Sequence, residues 1–309
     1  MESHNSDNLS TPLSLGEGQG VRLPLPWEGQ GGGSAESAAE SAIYSFNKPY
    51  AVTSFRIVSR VRGILNHKLG IKNPKKGLKV GHAGTLDPLA TGVLIVCTGK
   101  ATKQIDQLQA GTKEYIATLR LGATTPSFDR ETEEDQTYPT EHITREMVEQ
   151  VLTKFVGRIE QVPPQFSAVK VDGKRAFKLA RQGVDIELKP KVLIIDEIEL
   201  LDCHLSSENG VKPTHINIKQ LTEDSLAQLQ EENKNAATLF APSITLRIVC
   251  SKGTYIRALA RDIGEALGSG AYLTALCRTR IGDYKLEDAL DIANWTPPTL
   301  PLTPPKGGE

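Results

Sequence analysis

The sequence predicts a chain that mixes β-strands with α-helices. Three observations carry that reading. Lys113–Gly122 and Ile244–Cys250 alternate apolar and polar residues, the period of a half-buried strand. Val93–Cys97 is a short β-branched run of the kind that fills a buried strand. Three further stretches, 55–65, 144–155 and 256–267, carry apolar residues at helical spacing. Strands and helices are thus interspersed, a pattern that leaves the sheet topology open.

Residues 1–40 are rich in Gly, Ser, Pro and Glu, so a disordered tail is expected there. Ile43–Phe46 reads as a strand that ends in a turn at Asn47-Lys48-Pro49. Ser54 is a suitable N-cap for a helix over Phe55–Leu65, with Ile57, Val58, Val61, Ile64 and Leu65 as its apolar stripe. Arg56, Arg60 and Arg62 fall outside the stripe, where they meet either phosphate or water. Asn66–Lys79 follows as a basic loop that contains Lys75 and Lys76.

The loop leads into Val80–Leu94, around which the chain is organised. Asp87 is its single charged residue, with glycines at 81, 84 and 92. Glycine permits tight or left-handed backbone, and Pro88 biases Asp87 toward extended geometry. A carboxylate is therefore presented at the mouth of the Val93–Cys97 strand, a usual place for a catalytic group. Taken alone, an Asp before Pro reads first as a turn residue bonded to its own backbone. A phosphate-binding Walker loop is excluded, because Leu94 stands where Gly99-Lys100 would need an upstream glycine.

A short helix to Leu108 and the Lys113–Gly122 strand come next. Ala123–Asp129 and the acidic loop after it suggest no role. Thr144 caps a helix lined by Met147, Val148, Val151, Leu152 and Phe155, with Gly157 as its stop. Pro163–Ala176 reads as an extended segment with a turn at Asp172-Gly173, then a short helix closed by Gly183. Val192–Leu201 is a strand, and 203–242 looks like an insertion, polar and acidic over Leu221–Glu232. After the Ile244–Cys250 strand, Thr254 is the expected cap of a helix whose core face is Ile256, Leu259, Ala260, Ile263 and Leu267. Arg257 and Arg261 lie one turn apart on another face, and Gly268 ends the helix. Leu286–Ile292 suggests a short helix, and 296–309 is a Pro-rich tail.

The 309 residues allow one large domain or two small ones. The net charge of −1 hides an asymmetry. Lys48 to Lys113 holds twelve Lys and Arg against Asp87 and Asp106, a local +10 that leaves −11 for the rest. A basic block around the candidate site suits a polyanionic partner. No run approaches a membrane span, and the N-terminus lacks the pattern of a signal peptide. Cys97, Cys203, Cys250 and Cys277 are widely separated, without zinc spacing, and read as reduced residues of a cytoplasmic protein.

The run Gly81-His82-Ala83-Gly84-Thr85-Leu86-Asp87-Pro88-Leu89-Ala90-Thr91-Gly92 closely resembles the catalytic motif of the TruB family of tRNA pseudouridine synthases. Pro163–Ala176, Ser251–Arg257 and Gly270–Arg278 resemble further stretches of the family, in the family's order. The resemblance covers 43–292, less the insertion. It departs at Asn47 and Tyr50, and again at Pro126 and Ser127. It implies an α+β fold, a mixed, largely antiparallel sheet flanked by helices, with an RNA-binding cleft across it. A catalytic domain over 41–295 follows, without a C-terminal PUA domain.

The resemblance also implies the site. Asp87 is the catalytic aspartate, and Arg257 pairs with it. Tyr115 stacks on the target base and completes the catalytic set. His82, Tyr255 and Leu276 contact the substrate. Arg60, Lys75 and Lys76 are expected on the RNA backbone. The implied substrate is the T-loop uridine of the tRNA T-arm, position 55, taken by a monomer with neither metal nor cofactor. The reaction moves uracil from an N-linked to a C5-linked attachment, which is redox-neutral and needs a nucleophile. An apolar pocket of Leu86, Leu89 and Leu276 disfavours an ionised carboxylate, and a neighbouring Arg restores it. Whether the attack falls on C6, on C1′ or is replaced by elimination stays open. A non-catalytic RNA-binding protein and a glycosidase are the alternatives. The second normally needs two opposed carboxylates, and the motif holds one.

Overall fold

A computed structural model describes residues 21–22, 41–72, 77–167, 169–171, 173–184, 186–205 and 241–297. Fifteen strands and five α-helices follow one another in these residues. The first strands are β1 (Val21–Arg22) and β2 (Ile43–Lys48), followed by α1 (Ser54–Lys68), β3 (Val80–Ala83) and β4 (Thr91–Thr98). A 3-10 turn over Gly99–Gln104 leads into α2 (Ile105–Ala110) and β5 (Lys113–Leu121). Next come β6 (Ala123–Thr124), β7 (Gln136–Thr137), α3 (Arg145–Thr153) and β8 (Gly157–Gln161). A small hairpin of β9 (Lys170–Val171) and β10 (Lys174–Arg175) precedes α4 (Ala176–Ala180). The chain continues through β11 (Lys191–His204), β12 (Ser243–Cys250), α5 (Ile256–Ala266) and β13 (Ala271–Ile281), then β14 (Tyr284–Lys285) and β15 (Leu290–Asp291).

Eleven of these strands form one sheet, with the central order β1-β2-β4-β13-β5-β12-β11-β8. Only the β13–β4 and β15–β2 pairs are parallel. The rest are antiparallel, so the sheet is mixed and largely antiparallel as expected. In β5 the buried positions alternate strictly, which places Tyr115, Ala117, Leu119 and Leu121 on one face. That face packs with Leu246 and Ile248 of β12 against Leu259 and Ile263 of α5 and Val148 and Leu152 of α3. A second core lies between β2, β4 and α1, closed by Trp295, whose ring meets Tyr44 and Phe46 edge-on at 5.1 and 5.2 Å. β4 is buried along its whole length because the second core covers one face and α2 with Leu286 the other.

Two glycines allow the close approaches that shape the centre. Gly92 has φ +99°, and a Cβ there would collide with the Arg278 carbonyl of the neighbouring strand. Gly264 lets α5 press against the backbone of β13, where a side chain would strike Ala271.

Several local expectations are corrected. Thr53, not Ser54, caps α1, its hydroxyl accepting from Arg56 N, and the helix runs on to Lys68. Tyr255 occupies the N-cap of α5, while the Thr254 hydroxyl turns back to Ser251 O. Leu286–Ile292 forms only a 3-10 turn over Leu286–Asp288, then a strand, because Leu290 pairs with Phe46 of β2. Helix α3 ends at Thr153, ahead of Gly157, which instead opens β8. β11 continues through Cys203 and His204, paired with Ile244 and Ser243, so the strand reaches past the expected start of the insertion. Val21–Arg22 of the expected tail pairs with β2. Leu221–Glu232, Asp172, Lys75 and Lys76 lie outside the described residues.

Candidate active site

Asp87 sits between β3 and β4, in a turn closed by the Ala90 amide on the Asp87 carbonyl at 3.1 Å. The turn is thus held by backbone, and the carboxylate is directed elsewhere. Its Oδ2 lies 2.9 Å from Arg257 Nε, in an ion pair whose side chains are 38% and 5% exposed. The Nε–H is not aimed along that line and makes no hydrogen bond, so the contact is ionic. The two terminal nitrogens fix the guanidinium, with Nη1 donating to Ser127 O at 3.2 Å and Nη2 to Phe166 O at 3.0 Å. Asp87, Leu89, Ala90, Arg257, Leu273 and Leu276 line one pocket.

Asp129 belongs to the same pocket, although the sequence suggested no role for it. Its Oδ2 is 3.5 Å from Arg257 Nε, so one guanidinium serves two carboxylates. Oδ1 accepts from Ser127 Oγ at 2.7 Å and from the Glu131 amide at 2.8 Å. Burial raises its pKa, against the Arg257 charge and these hydrogen bonds. A second carboxylate therefore does stand beside Asp87, although nothing in the motif announces it. The only sequence signal was the short Ser-Phe-Asp turn, which departs from the family pattern.

Two buried cations hold the Asp87 loop from behind. Arg278 of β13 is 1% exposed. Its Nε donates to Val93 O at 2.9 Å and its Nη2 to Gly84 O at 3.0 Å. Lys48 is completely buried and donates to Pro49 O, Val52 O and Pro88 O at 2.8, 2.6 and 3.1 Å. Burial lowers the Lys48 pKa to about 8, Asp87 opposing and Arg278 adding to the shift. Lys113 is likewise buried and bonded to Gln109 O and Gly111 O. Among the described residues, Lys48 and Lys113 of the basic block are thus internal.

The remaining expected residues are placed as follows. Tyr115 is buried on β5, opposite Arg278 of β13. Burial raises its phenol pKa, the Arg278 charge opposes this, and Asp87 adds to it. Tyr255 is half-buried, and burial and the Asp87 charge raise its phenol against Ser167 and Arg257. Its backbone is clasped by the Gln161 amide, which accepts from Tyr255 N at 2.9 Å and donates to Tyr255 O at 3.2 Å. His82 lies on β3, and burial followed by the Arg278 charge lowers its pKa. Leu276 is a half-buried wall of the pocket. Leu86 is not a wall, for it turns into the main core. Arg60 donates to Ala293 O at 3.0 Å, tying α1 to the C-terminal segment. A separate cleft of about 460 Å³ is lined by Arg62, Lys79, Val80, Gly81 and Thr102.

Comparison with known proteins gives the chain's family. Residues 67–256 match the model of the TruB family pseudouridylate synthases, N-terminal domain. A tRNA pseudouridine synthase B of Phocaeicola vulgatus is 57% identical over 256 residues, 83% of this chain and 92% of the relative. Its counterpart in Bacteroides thetaiotaomicron is 58% identical over 249 residues, 81% and 89% of the two chains. Among solved structures, a chain of a Cbf5-Nop10-Gar1 complex matches with a TM-score of 0.51 at 26% identity, over 81% of this chain and 52% of that one.

Proposed function

The chain belongs to the TruB family of pseudouridylate synthases, and from that premise we propose that it isomerises the T-loop uridine of tRNA, position 55, to pseudouridine with Asp87 as nucleophile. The observation that supports Asp87 is its ion pair with a guanidinium fixed by Ser127 O and Phe166 O. The pair engages Oδ2 and leaves Oδ1 for the substrate. The reaction breaks the bond from C1′ to N1 and forms one from C1′ to C5, with a proton lost from C5 and one gained at N1. It needs a nucleophile, proton carriers and a base held out of its stack.

Tyr115 and Tyr255 meet the last need. Burial keeps both phenols protonated, so they offer neutral aromatic faces for a flipped uracil. Leu276 and Leu89 give the pocket its apolar walls. His82, held neutral by burial and the Arg278 charge, stands at the RNA side of the loop. Arg62 and Lys79, in the cleft beside the motif, and Lys75 and Lys76 supply phosphate contacts, which position RNA without reading its sequence. The substrate is the T-arm stem-loop, bound by a single chain in the cytoplasm. No helix among the described residues is long and apolar enough to cross a membrane.

Tritium release from C5-labelled uridine in a tRNA transcript tests this reading. The parent releases label from one uridine. Asp87→Asn, similar in size, is expected to bind tRNA within about tenfold of the parent, roughly 1.4 kcal/mol, and to release none. Substantial product from Asp87→Asn removes Asp87 from the mechanism and favours the turn reading, in which Asn replaces Asp readily. A parent that binds tRNA but releases no label refutes the activity.

A further inference from the structure

We propose that Arg261 is a positioning residue for the reacting centre, a role that rests on reading Asp87 and Arg257 as that centre. Arg257 and Arg261 are four residues apart on α5 and so share a face. Both reach the same two segments, which lie far away in sequence. Arg257 donates to Ser127 O and Phe166 O. The Arg261 guanidinium lies 5.2 Å from the centroid of the Phe128 ring, and its Nη2 donates to Val162 O at 3.1 Å. Asp262 neutralises it through Nε at 2.8 Å. With its side chain 18% exposed, Arg261 faces the protein more than solvent.

Phe128 explains why such a clamp is needed. Its φ is +58°, in the left-handed region that bulky residues avoid. Strain of this kind persists only where the surroundings hold it, and it gathers at functional sites. Here the strained residue lies between the two groups that Arg257 uses, Ser127 O and the Asp129 carboxylate. The Phe128 carbonyl accepts from Leu273 N at 3.0 Å, and Leu273 lines the pocket. Holding the ring of Phe128 holds the turn, and the turn presents both acceptors to Arg257. The bond to Val162 O does the same for the strand end that leads to Phe166. Without Arg261 the turn relaxes toward extended backbone, and Arg257 loses the supports that aim it at Asp87.

The test uses the full chain in excess over a tRNA transcript, reading both the single-turnover rate and the Kd. Arg261→Ala is expected to slow the chemical step about tenfold, with the tRNA Kd within about twofold of the parent. Phe128→Leu keeps the bulk and removes the aromatic face, and its loss is expected to be of similar size. The double variant is expected to be no more than about twofold slower than the slower single one, because both changes remove one contact. Arg261→Lys returns a cation over the ring and recovers most of the rate, but only where Phe128 is present. If Arg261→Ala does not fold, Arg261→Lys and Phe128→Leu with their double variant carry the comparison. A parental rate in Arg261→Ala, fully additive losses, or a loss confined to the Kd overturns the proposal. A parent that forms no pseudouridine overturns the functional reading beneath it instead.

Discussion

Ser54 and Leu86 hold each other by two hydrogen bonds, the Ser54 hydroxyl donating to the Leu86 carbonyl and accepting from the Leu86 amide, both at 2.9 Å. The first residue of α1 thereby pins the residue before Asp87. A buried hydroxyl that would otherwise have been a routine cap becomes part of the scaffold of the site. Ser54→Ala leaves two buried backbone groups without partners. It is expected to cost roughly 2–4 kcal/mol of stability and to lower turnover more than tRNA binding. Urea denaturation of the two proteins measures the first effect. A difference within the error of the method would show that the loop stands without this tie.

Asp129→Asn keeps an acceptor for Ser127 Oγ and the Glu131 amide but removes one of the two charges at Arg257. The guanidinium then draws closer to Asp87 and holds its carboxylate away from the substrate. Single-turnover rates are expected to fall about ten- to a hundredfold, roughly 1.4–2.7 kcal/mol, with tRNA affinity within about tenfold. A rate equal to the parent's would make Asp129 a bystander.

The Lys48 ammonium predicts a pH dependence of stability. Its pKa in the folded chain is about 8, below the ordinary 10.5, chiefly through burial. Between those values the unfolded chain holds a proton that the folded chain lacks, so stability rises with pH across that window. Below about 8 both states are protonated and the contribution is level at its least favourable. Relative to Lys48→Met, the parent should gain up to about 1.4 kcal/mol per pH unit from about pH 8 to 10.5. Lys113 shifts in the same direction but is common to both proteins, so it cancels. Denaturation curves at several pH values check the slope, and a constant difference would refute it.

Affinity for tRNA should fall steeply with salt if the basic loop meets phosphate. Lys75→Glu with Lys76→Glu is expected to weaken binding and flatten the slope of log Kd against log salt. Arg60→Glu is expected to act less on that slope and more on stability, because Arg60 already bonds to Ala293 O. An unchanged slope in the Lys75 and Lys76 variant would place the RNA on another surface.

The parts legible in the sequence are those set by short-range rules. The alternation in β5, the apolar stripes of α1 and α5, and the tight turn around Asp87 each depend on residues within a few positions. The unbroken motif around Asp87 also carried the family, and with it the pairing partner Arg257. What only the tertiary structure decided involves groups far apart in the chain. Asp129 reaches Arg257 across 128 residues, and Arg278 reaches Gly84 across 194. Lys48 reads as part of a basic face, yet the fold buries it against Pro88 O. Ser54 reads as a cap, yet Leu86 claims its hydroxyl. The physical reason is common to all four. A side chain's capacity for hydrogen bonds and ion pairs is written in its type, but its partner is whichever backbone or carboxylate the tertiary packing brings within about 3.5 Å, and local periodicity carries no record of that meeting.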